Sequence, residues 1–251
     1  MAQGTLYLVA TPIGNLSDIT LRALETLKSA DVIAAEDTRV TRKLLSHFDI
    51  HTKTTSYHEH NRKEAGEALL SRLLAGENVA LVTDAGTPAV SDPGEDLVKL
   101  CIESGVEIVP IPGACAAVNA LIVSGLDTRR FVFEGFLPSD KKEREDRLFA
   151  LKNEPRTAIL YESPHRLKET LSALLSALGN RRITLCRELT KLNETHTYTT
   201  LSEAVKLLDK QEARGEYVLV LEGAKEEESP FWETLSVEAD DPDDRRSWRG
   251  S

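Results

Sequence analysis

Short apolar, β-branched runs alternate with amphipathic segments through most of the chain, and this rhythm narrows the fold before any single residue does. The runs Leu6–Ala10, Val32–Ala35, Val79–Thr83 and Val106–Ile111 read as strands. Helical patterns lie at Thr20–Ser29, Thr38–Phe48, Arg62–Leu74 and Pro93–Ser104. Such alternation predicts a parallel sheet with helices on its faces. A second set of strands follows at Arg130–Phe136, Thr157–Glu162, Arg182–Arg187 and Tyr217–Glu222, with helices at Lys141–Leu151, Pro164–Leu178 and Thr200–Gln211. Periodicity leaves the strand directions of this second set open. The break near Pro112–Asp127 predicts two α/β lobes, residues 1–116 and 117–225, each of ordinary domain size. Residues 226–251 are polar, acidic and punctuated by proline, which predicts a disordered tail.

Composition narrows the function classes. With 41% apolar and 29% charged residues, the 251-residue chain reads as an ordinary globular protein. No apolar run approaches bilayer length, so no membrane association is expected. The opening MAQGTLYLVATP lacks the basic and long apolar regions of a signal peptide. Cys101, Cys115 and Cys186 are odd in number and widely spaced, which fits a reducing, cytoplasmic setting and neither a disulfide framework nor a zinc site. The net charge of −10 weighs against a first guess of nucleic-acid binding. Residues 224–251 hold nine acidic and four basic side chains, however, so half of the imbalance belongs to the tail.

Ligands of open α/β sheets bind beyond the carboxyl ends of the strands, so the loops after strands are the places to look. Thr11–Asn15 (TPIGN) follows the first strand, and Ser17 or Asp18 is expected to cap the helix after it. Neither GxxxxGK[ST] nor GxGxxG occurs, which excludes a Walker loop and a Rossmann fingerprint. Ala35–Arg39 (AEDTR) places two carboxylates and an arginine at a strand end; a functional cluster and a solvated helix cap are both open there. Thr83–Gly94 is long and rich in small residues, which let a ligand approach the backbone. Pro110–Leu121 opens a helix with Ala114, Cys115 and Ala116, a bare N-terminus suited either to a polar ligand group or to close packing. Cys115 reads as a packing residue more than a nucleophile, and His165 as a surface or capping residue. His58 and His60 lack a third ligand, so no metal is expected.

LYLVATPIGNLSDIT, VIAAEDTR, ALVTDAGTPAVSDPG, PIPGACAA, FEGFLP, YESPHR and CRELTK occur in this order between Gly4 and Gly223. Together they resemble the ribosomal RNA small-subunit methyltransferase I family of the tetrapyrrole methylase superfamily. The resemblance implies a two-lobed α/β fold binding S-adenosyl-L-methionine in the interlobe cleft, and a homodimer. It implies methylation of a cytidine ribose 2′-hydroxyl in the decoding region of 16S rRNA, within the small ribosomal subunit. By motif position, Pro12, Ile13, Gly14, Asp84, Gly86, Thr87, Val90, Gly113, Cys115, Ala116 and Tyr161 are expected at the cofactor. The chain departs from the family pattern in three places. Tyr198–Leu201 replaces an RGTL-like step, acids dilute the basic run in SDKKEREDRL, and the tail ends in ADDPDDRRSWRGS.

Methyl transfer from a sulfonium is an in-line displacement, so alignment supplies most of the help, and a base or cation near the hydroxyl supplies more. Glu36, Asp37 and Arg39 are the first candidates, with Arg187, Glu188 and Lys191 second. Arg39, Arg42, Lys43, Arg129 and Arg130 are candidate phosphate contacts. Two other readings stand beside this one: a corrin-type tetrapyrrole methyltransferase, and a cofactor-binding protein without catalysis.

Overall fold

The computed structural model describes residues 3–210 and 212–225. The expected tail at 226–251 lies outside the described residues.

The first five strands are β1 (Thr5–Val9), β2 (Val32–Ala35), β3 (Thr54–Ser56), β4 (Val79–Val82) and β5 (Glu107–Ile111). They form one all-parallel sheet in the order β3-β2-β4-β1-β5. Four helices cover its faces: α1 (Leu21–Ser29), α2 (Thr38–His47), α3 (Arg62–Leu74) and α4 (Gly94–Glu103). Every residue of β2 and β4 is buried, as expected of inner strands covered on both sides. Alternate residues serve opposite faces. Val32 and Ala34 pack with Leu69, Leu73 and Leu97, whereas Ile33 and Ala35 pack with Ala23, Leu27 and Leu45.

The second sheet joins β6 (Phe131–Phe136), β7 (Thr157–Glu162), β8 (Arg182–Arg187), β9 (Thr195–Thr200) and β10 (Tyr217–Leu221) in the order β6-β7-β10-β8-β9. It is mixed: β6 and β7 are parallel, while β10 runs against both β7 and β8. On one face lie α6 (Lys141–Lys152), α7 (Leu167–Leu178) and α8 (Leu201–Lys210), built on Leu148, Leu167, Leu171 and Leu201. On the other lies α5 (Ala116–Val123), whose Ala117, Ala120 and Leu121 pack on Ile159, Val218 and Val220.

The sequence reading needs correction at the cap of α1, at two edge strands and at the start of α7. The helix at Thr20 is capped by Thr20 itself, whose Oγ1 accepts from Ala23 N at 3.1 Å. Ser17 and Asp18 instead belong to a short 3-10 turn, Leu16–Asp18, capped by Asn15. The strands β3 (TTS) and β9 (THTYTT) went unread because both are polar edge strands, each needing only one paired side. The helix expected from Pro164 starts at Leu167. Among the described residues, no helix is long and apolar enough to cross a membrane.

Candidate active site

The parallel sheet brings the loops after β1, β2, β4 and β5 to one edge, facing the second sheet across a cleft of about 550 Å³. A ligand of nucleoside size fits such a volume. The loops are fixed to one another as well as to their strands. Thr11 and Gly86 exchange both backbone hydrogen bonds, at 2.9 and 3.0 Å, tying TPIGN to DAGTP. Thr87 Oγ1 donates to Ala114 O at 3.0 Å, tying DAGTP to PGACAA. Gly86 has φ +88°, and a Cβ there would come within 3.3 Å of Ile13. A larger residue would push the wall into the cleft.

Beyond Thr87 the backbone is strained. Ala89 and Ser91 both have positive φ, at 65° and 62°. Asp92 holds this turn, with Oδ1 accepting from Ala89 N at 2.9 Å and from Gly94 N at 2.7 Å. The turn also meets the second lobe, because a Cβ on Gly135 would lie 2.7 Å from Ser91 Oγ.

The second lobe closes the cleft. Tyr161, at the end of β7, stacks edgewise on Phe133 and Phe136, and its hydroxyl accepts from Ala117 N at 3.1 Å. Burial pushes this phenol up to about 12, so it stays neutral. Glu162 beside it is fully buried and satisfied by Ser163 N at 2.8 Å and Thr170 Oγ1 at 2.6 Å. The CRELTK loop crosses to the first lobe: Thr190 Oγ1 donates to Asp18, and the Lys191 stem passes over Gly14. Lys191 Nζ is held by Glu188 and Glu216, each at 2.9 Å.

The cleft is charged in one sense only. Glu36, Asp84, Asp92 and Glu216 line it, with the buried Glu162 behind them, and among the described residues no lysine or arginine does. Such a lining repels phosphate and suits a ligand carrying positive charge. S-adenosyl-L-methionine fits on three grounds: it is cationic at sulfur, it is small enough for the cleft, and the small walls at Ala85, Gly86 and Ala116 expose backbone to it.

The expected site residues fall into distinct places. Ile13, Asp84, Gly86, Thr87, Val90, Cys115, Ala116, Tyr161 and Glu36 line the cleft. Pro12 and Gly14 line a second hollow of about 350 Å³ beside it. Gly113 borders neither hollow. A Cβ there would meet Ala10 Cβ at 2.9 Å, so its role is close packing of the loop on β1. Asp37 and Arg39 also stand outside both linings. Asp37 caps α2 and forks with Arg39 Nη2 at 2.7 Å, and this pairing brings its carboxyl down to about 2. A carboxylate so acidic takes up a proton poorly at neutral pH. Of the second set, Glu188 and Lys191 pair with each other, and Arg187 Nε donates to Arg214 O at 2.6 Å.

Glu216, Tyr217, Val218, Leu189 and Phe136 also line the cleft and were not singled out from sequence. Glu216 to Val218 precede or open β10, which runs toward the opposite edge, so a search past strand ends passes over them. The substituted Tyr198 lies on β9, where its hydroxyl donates to Val123 O at 3.0 Å, apart from both hollows. Among the described residues no cluster of three or more potential ligands could hold a metal.

Comparison with known proteins agrees with this geometry. Residues 5–205 match the family model of the Tetrapyrrole (Corrin/Porphyrin) Methylases. The ribosomal RNA small subunit methyltransferase I of Halalkalibacterium halodurans is 55% identical over 93% of this chain and 82% of its own. Its namesake from Synechocystis is 54% identical over 90% of this chain and 82% of its own. Among solved structures, uroporphyrin-III C-methyl transferase from Thermus thermophilus complexed with S-adenyl homocysteine superposes with a TM-score of 0.62. It is 22% identical, over 87% of this chain and 97% of that one, and shows the shared fold. The chain belongs to the ribosomal RNA small subunit methyltransferase I family of the tetrapyrrole methylases.

Proposed function

We propose that this chain is an S-adenosyl-L-methionine-dependent methyltransferase that methylates the ribose 2′-hydroxyl of a cytidine in the decoding region of 16S rRNA. The observation that carries the cofactor assignment is a cleft lined by Glu36, Asp84, Asp92 and Glu216 with no lysine or arginine among the described residues. The family relationship, at more than half identity, carries the RNA assignment. The lobes divide at about residues 1–116 and 117–225, and the enzyme acts in the cytoplasm as a homodimer on the assembled small subunit.

When bound, the cofactor would supply an electrophilic methyl carbon on a positively charged sulfur. The chain's own residues hold and align. Ile13 and Val90 give apolar walls, while Gly86, Thr87, Cys115 and Ala116 present a thin, backbone-rich surface. Tyr161, locked by Ala117 N and two aromatic edges, forms a fixed side of the cleft. Glu36, held by Thr83 Oγ1 at 2.9 Å, adds fixed negative charge. Asp37 and Arg39 cap α2 at the rim, and Arg39 is free to reach RNA phosphate at the cost of its exposed pair.

The test is transfer of labelled methyl from S-adenosylmethionine into small ribosomal subunits lacking the modification, followed by nucleoside analysis. Label in a 2′-O-methylcytidine is the expected result. Tight cofactor binding without transfer to the subunit, or transfer to a tetrapyrrole instead, overturns the reading.

A further inference from the structure

The second hollow adjoins the cofactor cleft and differs from it in character. It is lined by the apolar Pro12, Leu16, Val40 and Leu44 and by Lys43 and Lys191. Apolar side chains beside Lys43, unpaired among the described residues, suit a base and ribose with their phosphates, which the acid-lined cleft does not. The two hollows share a boundary at Ile13, Thr83, Asp84, Ala85 and Glu216.

Among the described residues, one carboxylate borders both hollows without an ion-pair partner. Glu216 borders both hollows and is bound by Lys191. Glu36 is bound by Thr83 Oγ1 and lines the cofactor cleft alone. Asp37 is forked by Arg39 and lines neither hollow. Asp84 borders both. Its Oδ1 accepts from Asp37 N at 3.0 Å, and its Oδ2 has no partner among the described residues. We propose that the second hollow holds the acceptor nucleoside and that Asp84, at its junction with the cofactor cleft, is the catalytic base for the 2′-hydroxyl.

This rests on the ribose-methylation reading. The acceptor oxygen gives its proton to Asp84 Oδ2 as its electron pair forms the bond to the methyl carbon. The carbon–sulfur pair returns to sulfur, so charge and atoms balance. The surroundings favour such a base. Loss of water around Asp84 raises its pKa, the Asp37 N–H opposes this, and the neighbouring Glu36 and Asp37 charges raise it further. The other charged groups facing the junction are Arg39, Lys43, Lys191 and Glu216.

The experiment compares wild type, Asp84→Asn, Asp84→Glu and Val40→Trp on unmodified small subunits, with S-adenosylhomocysteine affinity measured by calorimetry. Asp84→Asn is expected to slow kcat by about 10²- to 10⁴-fold while affinity for S-adenosylhomocysteine, which lacks the sulfonium charge, changes less than about threefold. Wild-type kcat/KM should rise with pH through a single ionisation raised above that of a free aspartate, because the base works only when deprotonated. Asp84→Asn should lose that limb and Asp84→Glu should restore it in part. Val40→Trp fills the second hollow from an exposed position, and should raise KM for the subunit about tenfold with cofactor affinity intact. Asp84→Asn with a wild-type rate overturns the base assignment. Loss of cofactor affinity in Asp84→Asn makes Asp84 a cofactor contact and overturns it equally. An unchanged KM in Val40→Trp overturns the nucleoside assignment. Absence of transfer by the wild type sinks the ribosomal reading and this proposal with it.

Discussion

The two lobes reach the same cleft by different routes. In the first lobe all strands run one way, so four loops past strand C-termini collect at one edge. In the second, Tyr217 at the start of β10 pairs with Glu162 and Arg187 at the ends of β7 and β8. That edge therefore mixes strand ends with a strand beginning. The search rule for open α/β sheets assumes parallel strands, and it works as well as that assumption holds.

The sharpest way to break this comparison is to block the parallel-sheet side. Thr87 is held to Ala114 O and lines the cleft from the longest loop. Thr87→Arg fills that space and places a cation where the lining favours one from the ligand. Affinity for S-adenosylmethionine should fall by at least about 100-fold by calorimetry, with the melting temperature little changed. Unchanged affinity would show that the first lobe's loops do not form the cofactor wall.

The second lobe should respond in stability before binding. Glu162 is fully buried on β7, and it satisfies Ser163 N and Thr170 Oγ1. Glu162→Ala leaves both donors unpaired at a cost of about 2–3 kcal/mol. For a chain of this size, the melting temperature should drop by roughly 4–12 °C in calorimetry. A thermally neutral Glu162→Ala, with weakened cofactor binding, would mean that Glu162 serves the ligand and not the sheet.

These same residues explain what could be read from sequence. The strands β2 and β4 are legible because burial on both faces demands continuous apolar runs, VIAA and VALV. The edge strands β3 and β9 carry no such demand, and TTS and THTYTT read as loops. DAGTP and PGACAA stand out because close approach of backbone requires small residues in an unbroken run. Asp84 was visible as part of that run, but its position between two hollows depends on Val40 and Lys43 from α2 and on Lys191 from the other lobe. No spacing along the chain encodes that meeting. AEDTR shows the converse. Its charges are conspicuous in sequence, yet Asp37 and Arg39 chiefly satisfy each other and the start of α2.

The smallest effect tests whether the lobes act together. Gly14 has φ +152°, and a Cβ there would sit 2.4 Å from Lys191 Cγ. Gly14→Ala therefore introduces two costs: backbone strain in the first lobe and displacement of a flexible side chain from the second. Lys191 also orders Glu216, which borders both hollows, so moving it should disturb the site. Gly14→Ala should weaken cofactor binding by about three- to tenfold. In a Lys191→Ala background the collision is gone and only the strain remains, so the added effect of Gly14→Ala should be smaller. The difference is the coupling between the lobes, read from a double-mutant cycle on calorimetric affinities. Additive losses would mean that the TPIGN loop is set by its own lobe alone, through Thr11 and Gly86, and that the CRELTK crossing merely rests on it.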